Sequence, residues 1–297
     1  MPFESRGGTH VAGTHLWCDT PRARGVCVLT SADAAGSGAS VIATAITSRL
    51  LAALGRSAEA LDAPYGRPFS IGAARIELFP SGLLPGAASA LFEIGGERLV
   101  FAGAIGRQGA EERLCDAMCL YAPIGAIDAH TRPAGDVALA AARAAAARDG
   151  TPVLLAPGLA EALAAVRDLA AVGVAVRAPR RLRTALAILG AATLPFRGTP
   201  PAGAAVLWPL GAKRAAAVTR LAQARPVVLP TIACAGDALV AFVAASQAQR
   251  VVVVGPGAED LAVRLRARGL EARPLVAHAR QLALFDAQPS SPRPVLG

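Results

Sequence analysis

The chain is short of the side chains that most chemistry needs. Among its 297 residues there are only four histidines and five cysteines, aromatic residues make up 4%, and Lys213 is the single lysine among 30 basic residues. Scarce aromatics imply a core of Ala, Val and Leu, and they leave little scope for gripping nucleic-acid bases by stacking. His10, His15, His130 and His278 never fall at His-x-His or His-x-x-x-His spacing, so no ready imidazole pair for zinc exists. His10 and His15 lie in a stretch that reads as loop. Cys18, Cys27, Cys115, Cys119 and Cys234 form no Cys-x-x-Cys pair, and an odd, unpatterned set reads as reduced thiols in a reducing compartment. Residues 1–14 carry no apolar signal region, and no run reaches the ~18 apolar residues of a membrane span. These absences point to the cytoplasm and to no membrane partner.

What is present is length and positive charge. A chain of this size can bury a large core and hold two domains, or one with an insertion. The net charge is +9, almost all of it arginine. The Ala and Arg bias reads as the mark of a GC-rich genome. The charge itself suits a polyanionic partner, and it equally suits solubility alone.

Periodicity divides the chain into three stretches. In the first, 26–29 reads as a strand and 39–54 as one helix closed by Gly55. Residues 67–79 read as a strand pair around Ile71-Gly72-Ala73. Residues 89–94 and 98–102 read as a β-hairpin turning at Gly95-Gly96, and 115–121 as a further strand. The middle alternates: helices over 136–148, 160–171, 180–189 and 213–222, with strands over 152–156, 172–177 and 204–208. Such alternation predicts a parallel sheet. The last stretch repeats it with strands at 227–229 and 250–254 and helices at 236–246 and 259–268, then extended chain to 279. Beyond Asp286 the tail is rich in Pro and Ser and reads as disordered.

Several short motifs sit at matched places in this layout. Val26–Leu29 runs into Thr30-Ser31-Ala32-Asp33-Ala34-Ala35-Gly36; Tyr65-Gly66-Arg67-Pro68-Phe69-Ser70-Ile71-Gly72 precedes the strand pair; Phe79-Pro80-Ser81-Gly82-Leu83-Leu84-Pro85-Gly86-Ala87-Ala88 precedes the hairpin. Together with the short strand Leu16-Trp17-Cys18 and the strand 98–103, they resemble the metallo-β-lactamase-fold nucleases with an inserted β-CASP domain. The ligase-associated DNA exonucleases and the RNA 3′-end processing nucleases are the groups most alike. The resemblance implies an α/β fold, a metallo-β-lactamase-like αββα four-layer sandwich. It also implies a domain plan of 1–132 in the first part, 133–225 as the β-CASP-like insertion, 226–280 as the return, and 281–297 as tail.

The resemblance also implies that the metal site is lost. Ser31, Asp33, Ala35 and Gly36 stand where the family writes the His, His, Asp and His of Thr-His-x-His-x-Asp-His. Leu83 stands at the histidine of the glycine-rich turn, Ala104 at the bridging aspartate, Tyr121 at a strand glutamate, Ala233 at the histidine of Ser-Asp-His, and Gly255 at the last histidine. Alanine, glycine and leucine offer no ligand atoms, so no metal and no catalytic residue is expected. Asp33 alone could keep a residual metal or substrate contact, or it could simply cap the next helix.

Other sites are weighed on their residues. Gly255-Pro256-Gly257 follows a strand and opens a helix, but Asp260 takes the place of the third glycine of G-x-G-x-x-G. It reads as a tight turn, and no cofactor is implied. Ser37 and Ser81 lie in no G-x-S-x-G elbow, and Cys234 reads as a buried structural cysteine. Arg177, Arg180, Arg181 and Arg183 cluster at a strand end and helix start, and Arg264, Arg266, Arg268 and Arg273 form a second set. They suit phosphate contacts with DNA or RNA, or they form a solvated face. Gln281-Leu282-Ala283-Leu284-Phe285-Asp286 resembles the bacterial sliding-clamp-binding peptide, with Gln281, Leu282, Leu284 and Phe285 as its anchors; the same run also suits packing on its own domain. The sequence thus points to a catalytically inactive, nuclease-like binding or accessory subunit in DNA repair or nucleic-acid processing. The alternatives are a divergent exonuclease with a rebuilt metal site and a structural partner of an active nuclease or ligase paralogue.

Overall fold

A computed structural model describes residues 1–20, 25–34, 40–56, 59–107, 109–123, 134–146, 150–213, 216–221 and 226–275. The chain begins with a six-stranded sheet in simple order: β1 (Phe3–Ser5), β2 (Thr9–Val11), β3 (Leu16–Cys18), β4 (Val26–Val28), β5 (Ser40–Ala43) and β6 (Glu59–Asp62). The first three strands are antiparallel, and β3 to β6 run parallel. Helix α1 (Ala45–Ala53) connects β5 to β6.

Residues 39–54 are therefore not one helix. Ser40–Ala43 pairs on both sides as a strand inside the parallel part of the sheet. Val41 and Ile42 are β-branched, buried and favoured on a pleated surface. The helix starts only after Thr44, whose Oγ1 accepts from the N–H of Thr47 at 3.2 Å. His10 likewise sits on a strand, not in a loop. It is buried against Trp17 with ring centroids 4.8 Å apart, and its Nε2 lies 2.8 Å from the carbonyl of Thr14.

The second sheet holds β7 (Phe69–Ile71), β8 (Ala74–Pro80), β9 (Ala88–Ile94), β10 (Glu97–Gly103) and β11 (Ala117–Tyr121). The hairpin read at Gly95-Gly96 is present as β9–β10. A separate all-parallel sheet follows, built with α2 (Ala134–Ala146), β12 (Val153–Ala156), α3 (Leu159–Ala171), β13 (Val176–Ala178), α4 (Arg180–Ile188), β14 (Leu194–Pro195), β15 (Ala205–Pro209), the single turn α5 (Ala216–Thr219) and β16 (Pro226–Val228). Its order is β14-β13-β15-β12-β16. Two middle elements are shorter than expected. Val172 and Gly173 close α3 as a turn before β13 starts, and α5 covers only part of 213–222. The chain then adds α6 (Gly236–Ala245), β17 (Arg250–Val254), α7 (Ala258–Arg266) and β18 (Glu271–Pro274), and β17 pairs parallel with β11 to finish the seven-stranded sheet.

Side-chain alternation explains the packing. On β10, Leu99 and Phe101 face the first sheet, where they meet Phe3, Leu16, Val28 and Ile42. Val100 and Ala102 face the other way, toward Leu239 and Val243 of α6 and Leu261 and Leu265 of α7. The far side of the first sheet, through Leu29 and Val41, packs on α1, α3 and α4 and reaches Leu154 and Leu207 of the parallel sheet. The molecule is thus a mixed α/β protein, and no described helix is long and apolar enough to cross a membrane.

The contact between the two large sheets should dominate stability. Phe92 is fully buried there. Phe92→Ala should lower the unfolding free energy by about 3–5 kcal/mol, read from the urea midpoint at unchanged slope; a loss under ~1 kcal/mol would place the core elsewhere.

Candidate functional site

Parallel strands leave their carboxyl ends pointing one way, and crevices form there. Here the carboxyl ends of β4, β10, β11, β17 and β12 border one cavity of about 440 Å³. Close approach of the strand ends depends on glycine. A Cβ on Gly103 (φ +63°) would stand 2.6 Å from Thr30 Oγ1, and one on Gly255 (φ +97°) 2.5 Å from the carbonyl of Ala122.

Of the positions that the nuclease resemblance aligns with metal ligands or a strand acid, Ser31, Asp33, Leu83, Ala104, Tyr121, Ala233 and Gly255 all line this cavity. Ala35 and Gly36 lie outside the described residues. The lining adds two acids that sequence reasoning passed over, Asp19 and Glu161, and among the described residues it contains no Arg, Lys or His.

Each carboxylate is already engaged by the fold. Asp19 accepts from the backbone N–H of Thr30 at 2.8 Å and from its hydroxyl. Asp33 accepts from the N–H of Leu159, the first residue of α3, at 2.7 Å. Asp33 is thus a helix cap, but for a helix 126 residues on, not the next one in sequence. Gly158 before that helix carries no side chain to cap it, and a Cβ there would come 2.7 Å from Asp33 Oδ2. Glu161, buried one turn into α3, accepts from Thr231 Oγ1 at 3.1 Å and from the N–H of Ile232 at 2.9 Å. Arg56 fixes the Asp33 loop from outside, donating to the carbonyls of Ala32 and Ala34, both at 2.6 Å.

These residues do not fit the zinc centre of the nucleases that the chain resembles. Zinc takes four donors, mostly thiolate and imidazole. Among the described residues no three His, Cys, Asp or Glu side chains gather in a metal-holding group. All five cysteines are free and buried. Burial pushes the thiols up, Cys27 to about 11 and Cys115 to about 12. Cys234 is held on the carbonyl of Gly106 at 3.2 Å.

The arginine cluster is only partly brought together. Arg177 is half-buried and donates to the carbonyl of Pro195 at 3.0 Å. Arg180 and Arg181 are exposed at the start of α4, and Arg183 is half-buried a turn later. In the second set, Arg264 pairs with Asp260 and Asp237, Arg266 with Glu259, and Arg268 with Asp237. Residues 281–286 lie outside the described residues.

No protein-family model matches the chain, and no curated protein matches it. Among solved structures, it is similar to a protein of unknown function from Enterococcus faecalis V583. The TM-score is 0.54 with 12% identity, over 78% of this chain and 75% of that one. At that identity the likeness shows shared fold alone.

Removal from water pushes both Asp19 and Asp33 up from 3.8 to about 6, with the Glu161 charge adding to the rise at Asp33, against the lowering pull of their hydrogen bonds and of Arg56. Each binds its proton more tightly in the folded chain than in the unfolded one. That contribution to stability is complete below the unfolded value and is lost as the pH rises through about 6. Asp19→Asn should therefore lose less stability than the parent between pH 4 and 7, by up to about 2 kcal/mol in urea titrations. Equal pH slopes in the two proteins would contradict the raised value.

Proposed function

We propose that this chain is a catalytically inactive relative of the metallo-β-lactamase-fold nucleases, serving as a binding or accessory subunit in DNA repair or nucleic-acid processing in the cytoplasm. The single observation that carries the reading is the cavity at the strand ends. Seven positions where the family keeps ligands or a strand acid border one space, and five of them are Leu, Ala, Tyr or Gly. The layering supports the same reading. Two sheets face each other with α6 and α7 outside one and α1 outside the other, as in an αββα sandwich. The separate parallel sheet of β12 to β16 then corresponds to the β-CASP-like insertion.

Charge decides where nucleic acid would bind. Among the described residues the cavity presents three acids and no base, which disfavours a phosphate there. Phosphate contacts belong instead to Arg180 and Arg181, with Arg177 and Arg183 behind them. Partners in this reading are a DNA or RNA backbone, an active nuclease or ligase paralogue, and the sliding clamp through Gln281, Leu282, Leu284 and Phe285. The rival enzyme reading rests on Asp19 and Asp33, whose raised values suit a general acid in a rebuilt site.

Elemental analysis after dialysis should find well under one metal per chain, and EDTA should leave the melting temperature unchanged. Stoichiometric zinc or manganese, or a manganese-dependent exonuclease activity abolished by Asp33→Asn, would establish the enzyme reading instead. Leu284→Ala with Phe285→Ala should remove clamp binding and keep the melting temperature. A double mutant that loses several degrees marks those side chains as core.

A further inference from the structure

The central cavity holds polar groups that the fold does not use up. Asp19, Asp33 and Glu161 line it, and among the described residues no base does. Glu161 is only 5% exposed. Both of its hydrogen bonds, from Thr231 Oγ1 and from the N–H of Ile232, fall on Oε1, and Oε2 accepts none among the described residues. Gly158 marks where Oε2 lies. A Cβ there would stand 3.0 Å from Glu161 Oε2 and 2.7 Å from Asp33 Oδ2, so the two carboxylates converge on one side of the cavity. Like charges placed together favour a cation between them.

A second observation is independent of the acids. Thr9, at the start of β2, borders the same cavity and is 8% exposed. Its hydroxyl has no hydrogen-bond partner among the described residues, and buried hydroxyls seldom go without one. The volume, about 440 Å³, falls in the range of small-molecule sites.

Competing roles are visible and limited. Arg56 offsets part of the negative charge, acting on Asp19 and Asp33 from behind the loop, but Glu161 has no ion pair among the described residues. Arg180 and Arg181 line a separate pocket at the start of α4, which shares Asp33 as a wall. Asp33 spends Oδ2 on the Leu159 N–H, yet a carboxylate offers about four lone-pair sites. Zinc needs four donors closing around it. A primary ammonium needs only acceptors within reach of its three N–H groups. The rest of the wall is largely apolar, with Leu83, Phe101 and Val254, and burying an alkyl stem against it is favourable.

We propose that the central cavity binds a primary alkylammonium ion, the head group of a small biogenic amine. Its N–H groups lie on Glu161 Oε2 and Asp33, and its stem runs along Leu83, Phe101 and Val254. The proposal rests on the reading that this cavity has lost its metal, and it adds a ligand class which that reading does not name.

Calorimetry at pH 7.5 on the full chain, after EDTA treatment and dialysis, would use n-butylamine, putrescine, n-butanol and tetramethylammonium. Butylamine should bind at least about tenfold more tightly than butanol, which lacks the charge, and than tetramethylammonium, which lacks the N–H groups. Tighter binding of putrescine than of butylamine would put its second ammonium on Asp19 and make the natural ligand a diamine; equal binding would make it a monoamine. Glu161→Gln keeps an acceptor for Thr231 and Ile232 and removes the charge at Oε2. It should weaken butylamine at least tenfold with a melting curve close to the parent's. Ala104 is half-buried in the lining, so Ala104→Lys should abolish binding by placing a tethered ammonium in the cavity, and it decides the matter if Glu161→Gln misfolds. Equal binding of butylamine and butanol, or of butylamine and tetramethylammonium, overturns the proposal. So does full binding by a folded Ala104→Lys protein. Stoichiometric metal retained through dialysis alone, without EDTA, would overturn both this proposal and the metal-free reading; a metal-free chain that binds no primary amine overturns this proposal and leaves that reading standing.

Discussion

One hydrogen bond joins the first sheet to a helix 126 residues further along the chain. Asp33, five residues after β4, accepts from the first N–H of α3 at 2.7 Å. That helix begins at Gly158, which cannot cap itself. The bond therefore ties the first sheet to the separate parallel sheet at the place where the central cavity opens. Arg56 steadies the loop on one side, and Glu161, on the same helix, reaches Thr231 and Ile232 on the other. Three segments distant in sequence are held by two carboxylates around one cavity.

This arrangement gives the acids a structural occupation. A carboxylate crowded by protein and still bonded to backbone N–H groups is a cap first. It is a poor ligand while that bond holds, because a metal would have to displace it. The surrounding Leu83, Ala104, Ala233 and Gly255 supply shape and no donors. Among the described residues the cavity lining carries no positive charge, while Arg180 and Arg181 open α4. Acidic cavity and basic pocket share Asp33 as a common wall, so the same residue separates the two electrostatic environments.

Much of the fold was legible where periodicity and turn chemistry agreed. Gly95-Gly96 between two apolar runs marked the β9–β10 hairpin, and the alternating middle marked the parallel sheet. Residues 39–54 misled because an apolar run of Ala, Val and Ile reads equally as helix and as buried strand; only pairing with β4 and β6 settles Ser40–Ala43. Short edge elements such as β1, β6 and β14 carry no periodic signal at all. In the site, seven of the nine positions aligned by resemblance line one cavity and the other two lie outside the described residues, but Glu161 and Asp19 were not singled out. Glu161 did leave a trace, as a lone acid in the apolar run 153–166 three residues past a glycine N-cap, the place of a capping-box acid. The pocket at α4 was invisible because its walls come from residues 33 to 212 and meet only through the fold.

In this geometry Asp33 serves the fold, as the cap of α3, and not a metal. Anomalous diffraction from crystals grown in millimolar manganese or zinc tests it directly. The account predicts no anomalous peak in the cavity and the Asp33 carboxylate still on the Leu159 N–H. A peak bound by Asp33 together with Asp19 or Glu161, with that hydrogen bond broken, would contradict it.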